Sequence, residues 1–499
     1  MGVIQRQGFK SSIIGLAGVA IGALSTLFIY PKALELVGLF RSLFDAAMLI
    51  GILVLMGSSV SAVRFFPRYK DTDSGHNGLL TWLLLITGTG FLLFLLVFPF
   101  IKPLLVRYIF DQDNRDYIHV LYFLIPLTLF LALINLLSRY ISNFRRITIP
   151  AIYEQLTIKV TLPLAIILFL LGWLTVSGVW IMILISYATA TIGLILYLRH
   201  LGEWKLTKPV IWTDKPALKE YSRYSWYGLL SGIGSSVAFR INTLMIASFI
   251  RFEATGIYAI TSALSEVINK PLRSLSAIAG PLVAHYMEEG KMEEVRSIYR
   301  KASLNMTIIG VGLFLLIWTI VPQIIEVMPN SEKMMEGRYV IFFLGLAQVW
   351  DMMTGVNSEI ILYSKYYRIN LYLTLLLAVI NMGANFLLIP LYGLTGSAIA
   401  TCISIFLYNV IKLVFIKIKY NLFPFTPDII PAIGLGVAAW LISQWLPVTG
   451  HAYVDMVIKG AAFTLLYGIP IWKLALSPDI NHWIQLGLQK ARAFLGSTS

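Results

Sequence analysis

Long apolar runs follow one another along almost the whole chain, with short polar connections between them. A helix that crosses a membrane needs about 20 apolar residues, because it rises about 1.5 Å per residue and the hydrocarbon core is about 30 Å thick. The runs are continuous and do not alternate, as the strands of a membrane barrel would, so the pattern predicts an all-α polytopic membrane protein. We predict fourteen transmembrane helices, at approximately residues 12–30, 43–63, 79–100, 118–137, 156–174, 177–198, 225–250, 255–284, 304–326, 339–362, 369–389, 394–416, 428–447 and 454–474.

The distribution of Lys and Arg over the connections predicts the orientation. Counted alternately from the N-terminus, the connections on one side carry 25 of these residues, with Lys473 at the end of the last span included, and those on the other side carry 8. Cytoplasmic connections are the basic ones, so we expect both termini to lie in the cytoplasm.

The composition excludes a water-soluble protein. Of 499 residues, 58% are hydrophobic and 13% are charged, and the mean hydropathy is +0.78. The net charge of +14 follows from the topology and from attraction to anionic lipid, so no nucleic-acid partner is expected. The single cysteine, Cys402, cannot form an intramolecular disulfide, and the six histidines lack ligand spacing. We expect no metal and no cofactor.

Two halves of the chain resemble each other at an offset near 218 residues. Residues 35–40 and 253–258 both read Glu-x-x-Gly-aliphatic-aromatic, each after an equivalent span, and residues 174–178 match residues 394–398. A repeat of six helices enters the membrane twice from the same side, which predicts two lobes related by a pseudo-twofold axis along the membrane normal. Such symmetry is typical of alternating-access transporters, although channels and scaffolds also contain duplications.

The repeat predicts four segments. Residues 1–200 form an N-terminal six-helix lobe, residues 201–224 a basic cytoplasmic linker and residues 225–420 a C-terminal six-helix lobe. Residues 421–499 add two further transmembrane helices and a cytoplasmic tail.

Four stretches of the sequence carry a resemblance to a known family. They are Tyr30-Pro31-Lys32 with Gly38-Leu39-Phe40, Arg64-Phe65-Phe66-Pro67, Gly256-Ile257-Tyr258 with Asn269-Lys270-Pro271 and Gly280-Pro281, and residues 389–401. With these stretches the chain resembles the polysaccharide flippases, of the O-antigen type, in the multidrug, oligosaccharidyl-lipid and polysaccharide exporter superfamily. The resemblance implies a protein that moves undecaprenyl-pyrophosphate-linked oligosaccharide units across the bacterial inner membrane for the synthesis of lipopolysaccharide O antigen or a related surface polysaccharide. It also implies a lipid-linked substrate as partner, and contact with the polysaccharide polymerase machinery.

Ionisable residues inside the predicted spans are the candidates for a substrate site. Such a group costs about 3 kcal/mol at the bilayer centre unless it faces a cavity or a partner. Arg240 lies in the middle of the span at residues 225–250. Lys270 and Arg273 lie in the span at residues 255–284, with Glu266 on the same helical face. We expect these four residues to bind the pyrophosphate and acidic sugars, with Pro271 and Pro281 breaking the helix locally. The structural alternative is a Glu266–Lys270 pair on an ordinary amphipathic helix.

Two carboxylates in another span are candidates for ion coupling. Asp351 lies at the centre of residues 339–362, and Glu359 follows two turns later near the same face. Either could carry a proton or Na⁺, as intramembrane carboxylates do in transporters, or neutralise Arg240 or Arg273 as a buried pair. Both alternatives remain open at the level of sequence.

The sequence lacks signatures of catalysis. It contains no phosphate-binding loop of the ATPase type and no nucleophile and base at a recognisable spacing, so an enzyme is not expected. The alternatives to a flippase are a cation-coupled multidrug or small-molecule exporter of the same superfamily and a membrane scaffold that does not transport.

Overall fold

A computed structural model describes residues 18–71, 74–109, 112–144, 146, 148–446, 449–482 and 485. Every regular element in this part of the chain is helical, which confirms the predicted all-α class. The first predicted span, residues 12–30, begins outside the described residues, as do both chain termini.

The helices are numbered here in chain order. Residues 18–33 are helical, with a π turn and a 3₁₀ turn at their end, and continue into α1. The helices that follow are α1 (Leu34–Leu55), α2 (Ser58–Tyr69), α3 (Leu79–Ile109), α4 (Leu124–Ser142), α5 (Thr148–Leu170), α6 (Val176–His200), α7 (Lys215–Phe249), α8 (Phe252–Glu266), α9 (Lys270–Glu288), α10 (Met292–Val327), α11 (Ser331–Met335), α12 (Arg338–Met353), α13 (Asn357–Leu362), α14 (Tyr367–Tyr420), α15 (Ile429–Gln444) and α16 (Ala452–Lys473).

Within the described residues, nine helical segments are long and apolar enough to cross a membrane, and α15 is a shorter apolar helix. The chain is therefore a multi-pass membrane protein. The number of long helical segments differs from the fourteen predicted spans because some spans are joined into one helix and others are divided. The 54 residues of α14 include Gly393 in a non-helical conformation (φ 56°, ψ −134°), so this segment holds two predicted spans, residues 369–389 and 394–416.

Other predicted spans are interrupted. The span at residues 43–63 is divided between α1 and α2 at Met56 and Gly57, which are both left-handed. The span at residues 255–284 is divided between α8, which ends at Glu266, and α9, which begins at Lys270 directly before Pro271. A proline has no backbone N–H and cannot donate a hydrogen bond to the preceding turn, so a helix boundary is expected here. The prediction that Pro281 also breaks the helix is wrong, since α9 continues through it to Glu288.

The chain forms two compact units, residues 1–260 and residues 261–499. In the first unit α1 packs against α3, α4 and α7, around a core that contains Leu39, Tyr140 and Trp180. In the second unit α10 packs against α12, α15 and α16, and α12 packs against α14. The division into two six-helix lobes with a linker stays a prediction.

The connection between α6 and α7, residues 201–214, is packed against the first unit and is called the strap below. Glu203 of the strap contacts the buried His76, with 2.6 Å between Oε2 and Nε2. The Thr207 hydroxyl donates to the Ser74 carbonyl oxygen at 2.9 Å, and Ile211 is buried. Helix α7 begins at Lys215, so the last ten residues of the predicted linker are helical.

The first turns of α1 and α8 touch at their backbones. A Cβ atom added to Gly38 would lie 1.7 Å from the Phe252 carbonyl oxygen, and one added to Gly256 would lie 2.0 Å from the Leu34 carbonyl oxygen. Both distances are far below van der Waals contact, and the obstructing atoms are main-chain atoms. Only glycine fits at these two positions.

We expect Gly38→Ala and Gly256→Ala each to destabilise the protein by about 1–3 kcal/mol or more, since the backbones must separate to admit a methyl group. The measurement is thermal unfolding of the purified protein in detergent. Gly88→Ala is the control, because the space around Gly88 in α3 is open. Unchanged unfolding temperatures for both variants would contradict the contact.

Candidate functional site

Arg240, the first of the predicted substrate-binding residues, lies on α7 and forms an ion pair inside the first unit. Its Nη1 atom is 2.5 Å from Oδ1 of Asp45 on α1. The Asp45 carboxylate is completely buried, whereas a quarter of the Arg240 side chain is exposed. The intramembrane cation is thus held by a carboxylate from a helix distant in sequence.

Two further groups bind the same carboxylate. Nε of Arg41, one turn before Asp45, donates to Oδ2 at 2.8 Å, and the Thr243 hydroxyl donates to Oδ2 at 2.8 Å. Two arginines share one carboxylate, so this cluster keeps one positive charge. Sequence reasoning missed Asp45, although it lies in an apolar run with Arg41 at the i, i+4 spacing that favours a pair.

A cavity of about 730 Å³ lies in the first unit between α1, α2, α4 and α7. This volume is in the range of small-molecule binding sites. Its walls combine apolar side chains with the hydroxyl groups of α7 and with two arginines, Arg64 and Arg139. The lining residues are Met48, Ile52, Leu55, Gly57, Ser59, Val60, Val63, Arg64, Asn135, Arg139, Tyr224, Gly228, Leu229, Ser231, Gly232, Ser235 and Ser236.

The two arginines of the cavity carry charge that is not neutralised locally. In the part of the chain that the structure describes, no carboxylate lies within 4.0 Å of Arg64 or Arg139. The Arg64 guanidinium carbon lies 5.9 Å from the centre of the Tyr224 ring. Both side chains are exposed. They are therefore available to an anionic ligand, in contrast to Arg240.

Small residues on α7 allow the helices around the cavity to approach one another. A Cβ atom at Gly228 would lie 2.6 Å from the Val60 side chain. Gly57, at the break between α1 and α2, has φ +79°, and a Cβ there would lie 2.2 Å from the Ser225 carbonyl oxygen. Ser61 and Ser225 hydroxyl oxygens are 2.8 Å apart across the same contact. The close contact with α7 therefore requires glycine at the break between α1 and α2, and Arg64 on α2 lines the cavity.

The Arg240–Asp45 pair and the cavity follow one another along the same two helices. Met48 is three residues from Asp45 on α1, and Ser236 is four residues from Arg240 on α7, so each lies one turn away on the same face. The ion pair thus lies one helical turn from the cavity. Arg64 and Arg139 line the cavity without a carboxylate partner among the described residues, whereas Arg240 is paired with Asp45 next to it.

The other predicted substrate residues lie in the second unit. Glu266 is the last residue of α8 and Lys270 is the first of α9, so the helical face that they were predicted to share is interrupted. Glu266, Lys270 and Arg273 are exposed, and within the described residues none forms an ion pair within 4.0 Å. The alternative of a Glu266–Lys270 pair is therefore not seen, and their binding role remains a prediction.

Asp351 and Glu359, the two candidates for ion coupling, lie on separate helices, α12 and α13. The Asp351 carboxylate accepts hydrogen bonds from the side-chain amides of Asn269 and Asn409, each at 3.0 Å. The side chain of Glu359 packs near Gly280 of α9. Amide donors, and not arginines, satisfy the Asp351 carboxylate.

A chain of hydrogen bonds joins Asp351 to Lys412, a buried cation on α14. Lys412 Nζ donates to the Ser358 hydroxyl at 2.7 Å, and Ser358 donates to the Asn357 side-chain oxygen at 3.2 Å. The Asn357 amide donates to Asn409 at 2.9 Å, and the Asn409 amide donates to Asp351. All four donors point from the ammonium to the carboxylate, so the bonds polarise one another.

Lys412 is 1% exposed, and its ammonium lies 3.7 Å from the centre of the Tyr408 ring. Sequence reasoning missed it, although it falls inside the predicted span 394–416. The rule that marks ionisable residues within spans identifies it as well.

Comparison with known proteins supports the resemblance stated above. A family model described as polysaccharide biosynthesis protein matches residues 33–280. An uncharacterized membrane protein of Methanocaldococcus jannaschii, MJ1375, is 23% identical over 397 residues, which cover 77% of this chain and 91% of that protein.

Two solved structures have a similar fold. One is the lipid II flippase MurJ in an inward closed conformation, with a TM-score of 0.69 and 12% identity over 94% of this chain and 99% of MurJ. The other is an inward-facing multidrug resistance MATE family transporter of the MOP superfamily, with a TM-score of 0.61 and 15% identity over 80% of this chain and 94% of that chain. The family model thus confirms the predicted resemblance to proteins of polysaccharide biosynthesis, and the two solved structures share the fold of this chain.

We expect Asp45→Asn to destabilise the protein by about 3 kcal/mol, because two arginines then lack their shared carboxylate in a buried site. Arg240→Gln should cost less, since Arg41 still compensates Asp45. The double variant should lose less stability than the two single variants lose in sum. A double-mutant cycle of thermal unfolding measures this difference. Additive effects would contradict a direct pair.

We expect Asp351→Asn to destabilise the protein by about 1–3 kcal/mol. An asparagine has one acceptor oxygen where the carboxylate has two, so its NH₂ group would face the donor of Asn269 or Asn409 and that hydrogen bond would be lost. Asp428→Asn, at an exposed site before α15, is the matched control. If Asp351 instead serves mainly to bind a coupling ion, its replacement should leave unfolding unchanged and alter the ion dependence of transport.

Proposed function

From the resemblance and the basic cavity together, we propose that this chain is a flippase for undecaprenyl-pyrophosphate-linked oligosaccharides in the bacterial inner membrane. It acts by alternating access, in the synthesis of O antigen or a related cell-surface polysaccharide. Fourteen spans form two six-helix lobes and two additional helices, with both termini in the cytoplasm. The polysaccharide polymerase machinery receives the product.

The observation that carries this proposal is the pair of unneutralised arginines in a cavity of about 730 Å³. A pyrophosphate presents oxygen atoms that match the planar donor fork of arginine. The serine hydroxyls on α7 offer further donors and acceptors for sugar hydroxyls. Arg64 and Arg139 bind the anionic group, and Arg240, Lys270, Arg273 and Glu266 provide additional contacts during translocation.

The proposed two-lobe symmetry is supported by the contact at Gly38 and Gly256. Gly38 approaches Phe252, and Gly256 approaches Leu34. The two glycines are 218 residues apart, and so are Leu34 and Phe252, which is the offset of the sequence repeat. A twofold axis between equivalent helices produces such reciprocal contacts, in which each glycine approaches the residue equivalent to the one that its own helix presents to the other glycine.

The exporter alternative requires carboxylates that attract a cation. Asp45, the buried carboxylate beside the cavity, is bound by two arginines, so the cluster is positive. Asp351 is satisfied by amide donors. These two arrangements favour an anionic substrate over a cationic drug, while ion coupling through Asp351 or Glu359 remains a separate hypothesis about the energy source.

The test is transport by the full chain reconstituted in liposomes with a fluorescent lipid-linked oligosaccharide, whose exposure is read by a membrane-impermeant quencher. We expect Arg64→Gln/Arg139→Gln to lower the rate at least tenfold, because each lost charge-assisted contact contributes about 1.5–3 kcal/mol. Arg300→Gln/Lys301→Gln removes two exposed cations from α10 and should have no effect.

In cells, Arg240→Ala/Lys270→Ala/Arg273→Ala should abolish surface polysaccharide while the protein still inserts in the membrane. Wild-type amounts of surface polysaccharide in cells that carry Arg64→Gln/Arg139→Gln, and in cells that carry this triple variant, would overturn the proposed substrate. Dye efflux that depends on Asp351 but not on the arginines would instead favour the exporter.

A further inference from the structure

A second groove lies in the first unit, next to the cavity along α7. Its volume is about 450 Å³, and it is bounded by α3, the strap and α7. Aromatic and aliphatic side chains form most of its wall, among them Trp82, Leu85, Trp212, Tyr221 and Trp226. We call it the tryptophan groove.

Most of the α7 residues that line the groove do not line the cavity. Ser222, Ser225 and Trp226 line the tryptophan groove alone, whereas Leu229 lines both sites. At 100° per residue, Trp226 lies about 160° around the helix from Tyr224, which lines the cavity. The two sites therefore meet at Leu229 but differ in their other α7 residues, so a ligand in the groove contacts a different set of side chains from a ligand in the cavity.

The groove face of α7 continues towards its N-terminus with two lysines. Lys215 and Lys219 precede Ser222 by seven and three residues, so they lie on the same face of the helix. Both are exposed, and in the described portion of the chain neither has a carboxylate within 4.0 Å. The adjacent acids Asp214 and Glu220 pair with Arg68 instead.

The groove face thus changes in character along the helix. Lys215 begins a membrane-spanning helix, the hydroxyls of Ser222 and Ser225 follow, and Trp226 lies roughly 16 Å from Lys215 along the axis. A phospholipid has the same order of anionic headgroup, ester groups and acyl chain. Tryptophan favours this depth, because its indole combines an apolar body with one donor.

Aromatic side chains that contact one another form the wall of the groove. The Trp82 ring meets Trp212 of the strap edge to face at 6.0 Å and meets Tyr221 edge to face at 5.7 Å. Trp212 and Trp226 still expose about half of their surfaces, 51% and 60%. An apolar ligand would cover these two indoles.

We propose that the tryptophan groove binds one anionic glycerophospholipid, with an acyl chain along Trp82, Trp212 and Trp226 and the headgroup phosphate on Lys215 and Lys219. The charge of the two lysines selects an anionic headgroup over a zwitterionic one. The bound lipid connects the strap to α7 and so supports the helix that forms one wall of the cavity.

The experiment is native mass spectrometry of the full chain titrated with phosphatidylglycerol or phosphatidylcholine of identical acyl chains. We expect the wild type to prefer phosphatidylglycerol, and Lys215→Gln/Lys219→Gln to lower that preference at least fivefold, since one lysine near an anionic surface contributes about that factor. Arg300→Gln/Lys301→Gln is the matched control for charge and should keep the preference.

Trp226→Ala should weaken binding of both lipids several-fold, whereas Trp445→Ala, which removes an 88% exposed indole in the second unit, should not. Retention of the phosphatidylglycerol preference by the double lysine variant would overturn the proposal. So would displacement of phosphatidylglycerol by equimolar undecaprenyl phosphate in a lysine-dependent manner, which would identify a site for the carrier lipid instead.

Discussion

The need to compensate charge in an apolar interior governs the polar structure of this protein. An ionised group there is stable only if it is paired, hydrogen-bonded or placed at a cavity. Each solution occurs here. Arg240 is paired with Asp45, Asp351 accepts amide hydrogen bonds, and Arg64 and Arg139 border a cavity.

These three solutions imply different roles. The Arg240–Asp45 pair holds α7 against α1, because separation would leave Arg240 without a carboxylate and Asp45 with Arg41 alone. The chain from Lys412 to Asp351 similarly joins α14 to α12 and α13 through amides and hydroxyls. Arginines at a cavity have spare donors, so they are the ones able to receive an anion. The distinction between holding the structure and binding a ligand thus depends on local compensation.

The backbone contact at Gly38 and Gly256 adds a second constraint, which is steric. Two helices approach so closely at their first turns that no side chain fits at either position. The same residues carry the sequence repeat, so the motif that suggested duplication has a packing reason of its own. Selection for a close helix crossing would preserve glycine at both positions, whichever conformational change the crossing serves.

The sequence alone determined the features that depend on neighbouring residues. Apolar runs of about 20 residues predicted helices and a membrane location, and Pro271 predicted a helix boundary. Helical spacing could not show that α9 continues through Pro281, because neighbouring packing decides whether a proline ends a helix. Nor could it show that Met56 and Gly57 would divide a continuous apolar run into α1 and α2.

Only the tertiary structure decided which charges are compensated. Arg240 and Asp45 are 195 residues apart, and nothing in the local pattern around either residue encodes the other. Arg64 and Arg139 occur in sequence as ordinary basic residues at the ends of spans, yet the packing of α2, α4 and α7 brings them to one cavity. Periodicity is a property of adjacent residues, whereas the energy of a buried charge depends on whichever distant helix folds beside it.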